Sequence, residues 1–308
     1  MKALYRLLGS LFATFLILVV ITLIVGFIRK VWIGGGGIST RGHVAVIDIT
    51  GELVSASDTL RQIEDTLKES RAKALVVRVN SPGGLVAPAQ EIYEALRRAD
   101  QKIPVVVTMS SVAASGGYYL SLGGRELFAD PGTLTASIGV IMEFTNASKL
   151  FEWAKLERYT LTAGKLKDAG SPNRPMTKEE REFFLALLSD VHRQFRSAVK
   201  ERRKLTDAQL DAIADGRVMT GQQAFDAKLV DHLGGFADAV KQAKHLAGLP
   251  ESAPIEYPED ESGLLRKLLV GKPEAGSGVG WLDWLSGKTA APAPAAGWSI
   301  LLRAPVHG

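Results

Sequence analysis

Ser115 stands in the run Ser110-Ser111-Val112-Ala113-Ala114-Ser115-Gly116-Gly117-Tyr118-Tyr119, between small residues and directly before two glycines. The apolar run Val105-Val106-Val107 precedes it and reads as a buried strand, while Tyr118, Tyr119 and Leu122 follow with the spacing of one helix face. A serine at such a strand-to-helix corner exposes its hydroxyl at the rim of a sheet, beside the unpaired N–H groups of the helix start. The chemistry this supports is nucleophilic attack on a carbonyl, with backbone N–H groups receiving the developing oxyanion. A tight packing turn accounts for the same ten residues, so the rest of the chain has to decide.

A serine nucleophile needs a base. The five histidines, His43, His192, His232, His245 and His307, lie outside any loop-end motif, and packing or surface roles suit all of them. The chain has no cysteine, which removes thiolate nucleophiles, disulfides and cysteine-ligated metal. Lysine replaces histidine as a base where desolvation lowers its pKa toward neutrality. The segment Gly164-Lys165-Leu166-Lys167-Asp168-Ala169-Gly170-Ser171-Pro172 carries two lysines, which share one face if the segment is extended. Lysines in loops are commonly solvated, so the pair alone does not single out a base. A second glycine turn, Asn80-Ser81-Pro82-Gly83-Gly84, also follows a strand. It lacks the ending of a phosphate loop, and no dinucleotide spacing occurs. At the carboxyl edge of a parallel sheet, Gly83 and Gly84 would offer N–H groups to an oxyanion. A plain type II turn with Pro82 at its second position fits as well.

These residues need a sheet to position them. His43–Ile49, Ala74–Val79 and Val105–Val107 read as strands, with amphipathic helices expected over Thr59–Ser70 and Ala87–Arg98. That rhythm argues for βαβ crossovers and a parallel sheet, an α/β fold. Glu126–Ala129 is a short strand stopped by Asp130-Pro131-Gly132, and Thr135–Val140 resumes extended. Thr160–Ser171 reads as extended and loop-like. Thr177-Lys178-Glu179-Glu180 has capping-box spacing and opens a long helix to about Arg203. Helical pieces follow from Asp207 and Gln222, and a last helix spans Phe236–Leu246.

With 308 residues, 46% hydrophobic and 23% charged, the chain has ample apolar content for a core. Its formal charge of +4 is interspersed, with no basic face carrying aromatics, and this argues against nucleic acid. Leu7–Ile28 is uncharged and long enough to span a bilayer as a helix, so it is read as a retained anchor. Basic residues flank it on both sides and leave its orientation open. The expected organisation is a short tail (1–6), a transmembrane helix (7–28), a Gly-rich linker (29–42), one catalytic-type domain (43–249) and a Pro/Ala-containing extension (250–308).

Four stretches in register, Asn80–Gly84, Ala114–Tyr119, Thr135–Val140 and Gly164–Asp168, resemble the signal peptide peptidase A family in its short form. These are membrane-anchored serine–lysine peptidases of the Clp protease/crotonase fold, built from repeated ββα/βαβ units. The resemblance covers roughly Val44 to Leu246 and includes Ala214-Asp215-Gly216-Arg217-Val218-Met219-Thr220-Gly221. It implies Ser115 as nucleophile, Lys167 as general base with Lys165 the competitor, and Ser137 as the group that orients the amine. The oxyanion hole would be Gly83 and the Gly116 N–H. It further implies an endopeptidase that degrades signal peptides after their release from preproteins, without metal or organic cofactor. The family's short forms assemble as rings, which leaves open whether Ser115 and Lys167 of one site come from the same subunit or from two. They sit in the bacterial cytoplasmic membrane, with the catalytic domain outside the cytoplasm. Lys228 departs from the family, which usually has glycine there. Two other readings remain at this stage: an inactive protease-like scaffold for membrane proteins, and a crotonase-type acyl-CoA enzyme on the same fold.

Overall fold

The computed structural model describes residues 15–22, 42–257 and, as backbone alone, 301–303. The chain divides into two units at Gly42/His43. In the first, residues 15–22 are helical and exposed, and the Thr22 hydroxyl donates to the Leu18 carbonyl at 2.8 Å. The rest of the expected spanning stretch, and the linker up to residue 41, lie outside the described residues. Among the described residues no helix is long and apolar enough to cross a membrane.

The second unit is an α/β fold. Its strands are β1 (His43–Thr50), β2 (Ala72–Ser81), β3 (Gly83–Leu85), β4 (Val105–Ala114), β5 (Glu126–Ala129), β6 (Leu134–Ala136), β7 (Val218–Thr220), β8 (His232–Leu233), β9 (Ile255–Glu256) and β10 (Leu301–Arg303). Its helices are α1 (Ser57–Lys68), α2 (Val86–Asp100), α3 (Gly116–Ser121), α4 (Ser148–Trp153), α5 (Lys178–Arg203), α6 (Asp207–Asp211), α7 (Gly221–Asp226) and α8 (Phe236–Leu246). The main sheet runs β7-β6-β4-β2-β1-β9, with β5 beside the first half of β4 and β8 beyond β5. All its pairs are parallel except β6–β7.

Near-continuous apolar strands follow from burial on both faces. Successive side chains alternate. Ile47, Val77, Val107 and Met109 join Ile63 of α1, Ile92 and Leu96 of α2 and Phe195 of α5 in the main core. Val44, Val46, Ala74, Val76 and Val106 turn the other way, under Ala239, Val240 and Ala243 of α8. A one-residue slip of β1 against β2 would swap these two sets, so the register is firmly specified.

The expected capping box is present. Glu180 N–H donates to the Thr177 hydroxyl at 3.2 Å, and Thr177 N–H donates to the Glu180 carboxylate at 2.8 Å. Three expectations change. β4 continues through the whole run to Ala114, so Ser110–Ala114 is strand and not turn. β6 ends at Ala136, because Ala136 and Ser137 take φ of +63° and +51° and turn the chain out of the ladder after Ala136. Lys165–Gly170 is a series of tight turns, with Lys167 N–H donating to the Gly164 carbonyl at 3.1 Å and Ala169 N–H to Leu166 at 3.1 Å. The two lysines therefore do not share the face of an extended strand. Of the expected extension, β9 joins the edge of β1 and β10 lies antiparallel on β3, pairing Leu302 with Gly84.

Candidate active site

Ser115 follows a strand that is bent on purpose. Val79 and Ser81 of β2 pair with Met109 and Ala113 of β4, so β4 carries two more residues than its partner between these points. The Asn80 side-chain oxygen fills the gap by accepting the Val112 N–H at 3.2 Å. Past the bulge, β4 changes its outer partner from β5 to β6. Such a bulge re-aims the strand end. Ser115 then takes φ +54° and ψ −115°, a left-handed conformation that non-glycine residues occupy at a cost of roughly 1–3 kcal/mol. Its N–H donates to the Ala136 carbonyl at 2.8 Å and its carbonyl accepts from Tyr119 at 2.8 Å, so the strain is held from both sides.

The Ser115 hydroxyl is fully buried and has no hydrogen-bond partner among the described residues. Leaving a buried polar group unpaired costs about 1–3 kcal/mol, which marks the site as built for something other than stability. The N–H of Gly116, first residue of α3, has no carbonyl four residues back in its own helix. α3 sits directly on β2: a Cβ on Gly117 would come within 2.6 Å of the Ser81 carbonyl oxygen. Tyr118 anchors it from below, its phenol donating to the Leu229 carbonyl at 2.8 Å. Burial pushes the Tyr118 pKa well above the usual tyrosine range, so this bond keeps its proton.

Ser137 occupies the matching place on the next strand. Ala114 and Ala136 are register partners, and Ser115 and Ser137 each follow by one residue. Ser137 is 3% exposed, and its hydroxyl lies 3.3 Å from the Gly216 carbonyl. The other expected oxyanion donor is less free. Gly83, at φ +105°, gives its N–H to the Ser81 hydroxyl at 3.2 Å. Gly84 packs so closely that a Cβ would meet the Leu53 oxygen at 2.4 Å.

Among the described residues Lys167 is not hydrogen-bonded to this pair. Its side chain is exposed, and no hydrogen bond joins its amine to Ser115 or Ser137. Lys165 is committed elsewhere, with its amine 2.7 Å from the Glu179 carboxylate. The lysine turn is nevertheless firmly seated. Arg174 donates to the Asp168 carboxylate at 3.2 Å and its carbonyl at 3.0 Å, and to Glu180 at the start of α5 at 3.0 Å. Arg174, and after it the Thr177 N–H, hold the Glu180 carboxyl down at about 2. Before this turn runs an arm whose Leu150, Trp153, Leu156, Tyr159 and Leu161 are all exposed, Trp153 at 80%. Sequence reading missed α4 in this arm; the apolar residues interleaved with charge over Lys149–Leu156 were its only signal.

Comparison with known proteins agrees with this architecture. The Clp protease family model matches residues 47–132, which gives the fold as Clp protease-like, and the peptidase family S49 model matches residues 97–250. A putative protease of Synechocystis is 38% identical over 235 residues, covering 76% of this chain and 85% of that protein. The putative signal peptide peptidase SppA of Enterococcus faecium is 32% identical, over 69% of this chain and 62% of its own length. Protease 4 of Salmonella typhi is 34% identical over 73% of this chain, which spans only 38% of that longer protein. A solved ClpP1 mutant from Listeria monocytogenes covers 63% of this chain and 94% of its own at 18% identity and a TM-score of 0.43. With its Clp-like sheet and its extensive match to these proteases, the chain belongs to peptidase family S49.

Proposed function

We propose that this chain is a membrane-anchored serine endopeptidase with Ser115 as nucleophile and Lys167 as general base, acting on signal peptides after their release. The observation that carries this reading is the buried Ser115 hydroxyl, without a hydrogen-bond partner among the described residues. It stands on a strained residue that directly precedes the first N–H of α3 and is one register step past the Ala114–Ala136 pair that leads to Ser137. The neutral lysine amine takes the Ser115 proton as Oγ attacks the peptide carbonyl. The Gly116 N–H, with Gly83 or its neighbour, binds the resulting oxyanion; removal of one such donor costs about 3 kcal/mol in hydrolases. The lysine then protonates the leaving amine, and water releases the acyl group from Ser115.

An exposed Lys167 on a well-anchored turn, next to an arm of exposed apolar side chains, supports a base that completes its site in an assembled ring. The ion pair of Lys165 with Glu179 favours Lys167 over it. β3 already accepts an extended segment, β10, and this favours peptides as substrates bound strand-to-strand. The anchor reading rests on the uncharged stretch Leu7–Ile28.

The test is peptide cleavage by Ser115→Ala and by Lys167→Ala, each of which abolishes activity while assembly persists. Mixing the two inactive proteins restores part of the activity if base and nucleophile come from different copies. Full activity of either variant alone refutes the assignment. A lysine base also requires activity that rises toward alkaline pH, and an acid optimum argues against it.

A further inference from the structure

Ser137 is held by a turn far away in sequence. Its N–H donates to the Arg217 carbonyl at 2.9 Å, and its hydroxyl faces the Gly216 carbonyl at 3.3 Å. Its own carbonyl accepts from the Gly139 N–H at 2.9 Å. The turn is closed by a single carboxylate: Asp215 accepts from the Arg217 backbone N–H at 3.1 Å and from its guanidinium at 2.8 Å and 2.6 Å. Gly216 lies at φ +91°, and a Cβ on Gly139 would stand 3.0 Å from the Gly216 Cα, so the two backbones touch. One residue on, Val218 is fixed by its antiparallel pairing with Ala136.

A carbonyl only accepts, so a hydroxyl bonded to it must donate. A hydroxyl has one proton and two lone pairs; once the proton is committed, the oxygen acts toward any third group as an acceptor alone. A neutral lysine amine facing that oxygen gives it one N–H, and its lone pair is left to point elsewhere.

We propose that Asp215 and Arg217 are positioning residues of the peptidase site: the turn they close commits the Ser137 proton to the Gly216 carbonyl, so that Ser137 only accepts from the lysine amine and aims its lone pair at the Ser115 proton. This rests on the serine–lysine reading above. Neither residue touches substrate. Arg217 and its backbone N–H hold the Asp215 carboxyl at about 2, so the clamp stays charged across the range in which a lysine base titrates. The imidazole of His192 on α5 also reaches this segment, 3.1 Å from the Ile138 carbonyl.

The test compares the full-length wild type with Ser115→Ala, Asp215→Ala, Arg217→Ala, Asp215→Asn and His192→Gln, following kcat, KM and their pH dependence from neutral to alkaline. Asp215→Ala and Arg217→Ala are expected to lower kcat on the order of 10-fold, the range for a catalytic group displaced by a fraction of an ångström, with KM nearly unchanged. Both also shift the alkaline limb of the profile. Asp215→Asn keeps an acceptor for the Arg217 N–H and recovers part of the loss. A purely structural role would reduce the active fraction and leave the shape of the profile as in the wild type, and that result overturns the proposal. So does an alkaline limb that vanishes in His192→Gln, because it would then belong to the imidazole. If Ser115→Ala stays active, the serine–lysine reading fails and the clamp falls with it; if Ser115→Ala is dead but Asp215→Ala matches the wild type, the clamp alone fails.

Discussion

Gly117→Ala tests whether the Ser115 corner depends on how closely α3 sits on β2. The new Cβ would stand 2.6 Å from the Ser81 carbonyl oxygen, where ordinary contact begins at 3.4 Å. Helix and strand end must therefore separate by about 0.8 Å, the difference between these distances. Both sides are backbone, so no side chain can rotate away. Overpacking of this kind costs about 1–3 kcal/mol. Alanine in place of glycine returns up to about 1 kcal/mol of helix propensity, and less in a helix this short. The net expectation is a destabilisation of about 0–2 kcal/mol, a few degrees in Tm for a domain of this size. Activity is the sharper readout. A displacement near 1 Å costs roughly 100-fold in catalysis, and this one moves Ser115 against the Ser81–Gly84 turn. Thermal unfolding and kcat/KM for a peptide, measured beside Gly132→Ala, separate the effects, since a Cβ on Gly132 meets nothing within 4 Å. If Gly117→Ala keeps wild-type kcat/KM, the corner tolerates the shift, and the claim that this contact sets the position of Ser115 is wrong.

Other consequences are open to simpler measurements. Glu180, held at about 2 against an ordinary 4.5, stabilises the fold fully above pH 4.5 and loses that contribution as pH falls toward 2. Glu180→Gln should lower Tm at neutral pH and flatten the acid side of the stability curve; unfolding followed across pH decides it. Deleting residues from 298 onward removes β10 from the edge of β3 and should lower the apparent KM for peptides. An unchanged KM would mean that β3 is not the peptide strand. Lys228 sits at φ +62°, so Lys228→Gly should raise stability by up to about 1 kcal/mol with activity unchanged, as denaturant titration would show.

Where local rules decide, the elements were legible. Thr177 and Glu180 cap each other, so α5 begins where its capping box says, and Phe236–Leu246 follows its own periodicity. The course of β4 was not legible, because Ser110, Ser111, Ala113 and Ala114 are weak strand formers drawn into the ladder with Val112 by β2, β6 and the Asn80 side chain. β9 and β10 are two and three residues long, too short for any period to show. At the site, Ser115 announced itself through its two glycines. Ser137 was reached only through the family resemblance, since what distinguishes it locally is a pair of carbonyls met only after the chain returns at Gly216 and Arg217. That the Ser115 hydroxyl has no hydrogen bond to Lys167 was not legible either, because a sequence interval carries no distance. At Lys228 the departure from glycine proves to be a residue kept in glycine's conformation, not a rebuilt turn.

The bond from the Tyr118 phenol to the Leu229 carbonyl spans 111 residues. At about 5–20 residues per second, a ribosome needs roughly 6–22 s to travel from one end of that bond to the other. During that interval the segment carrying Ser115 exists without the buried partner that seats α3, and until Gly216 appears, without the carbonyl that faces Ser137. On the proposed assignment of Ser115, the site of this peptidase is completed only once the far end of its own domain has been made, so its timing follows chain order.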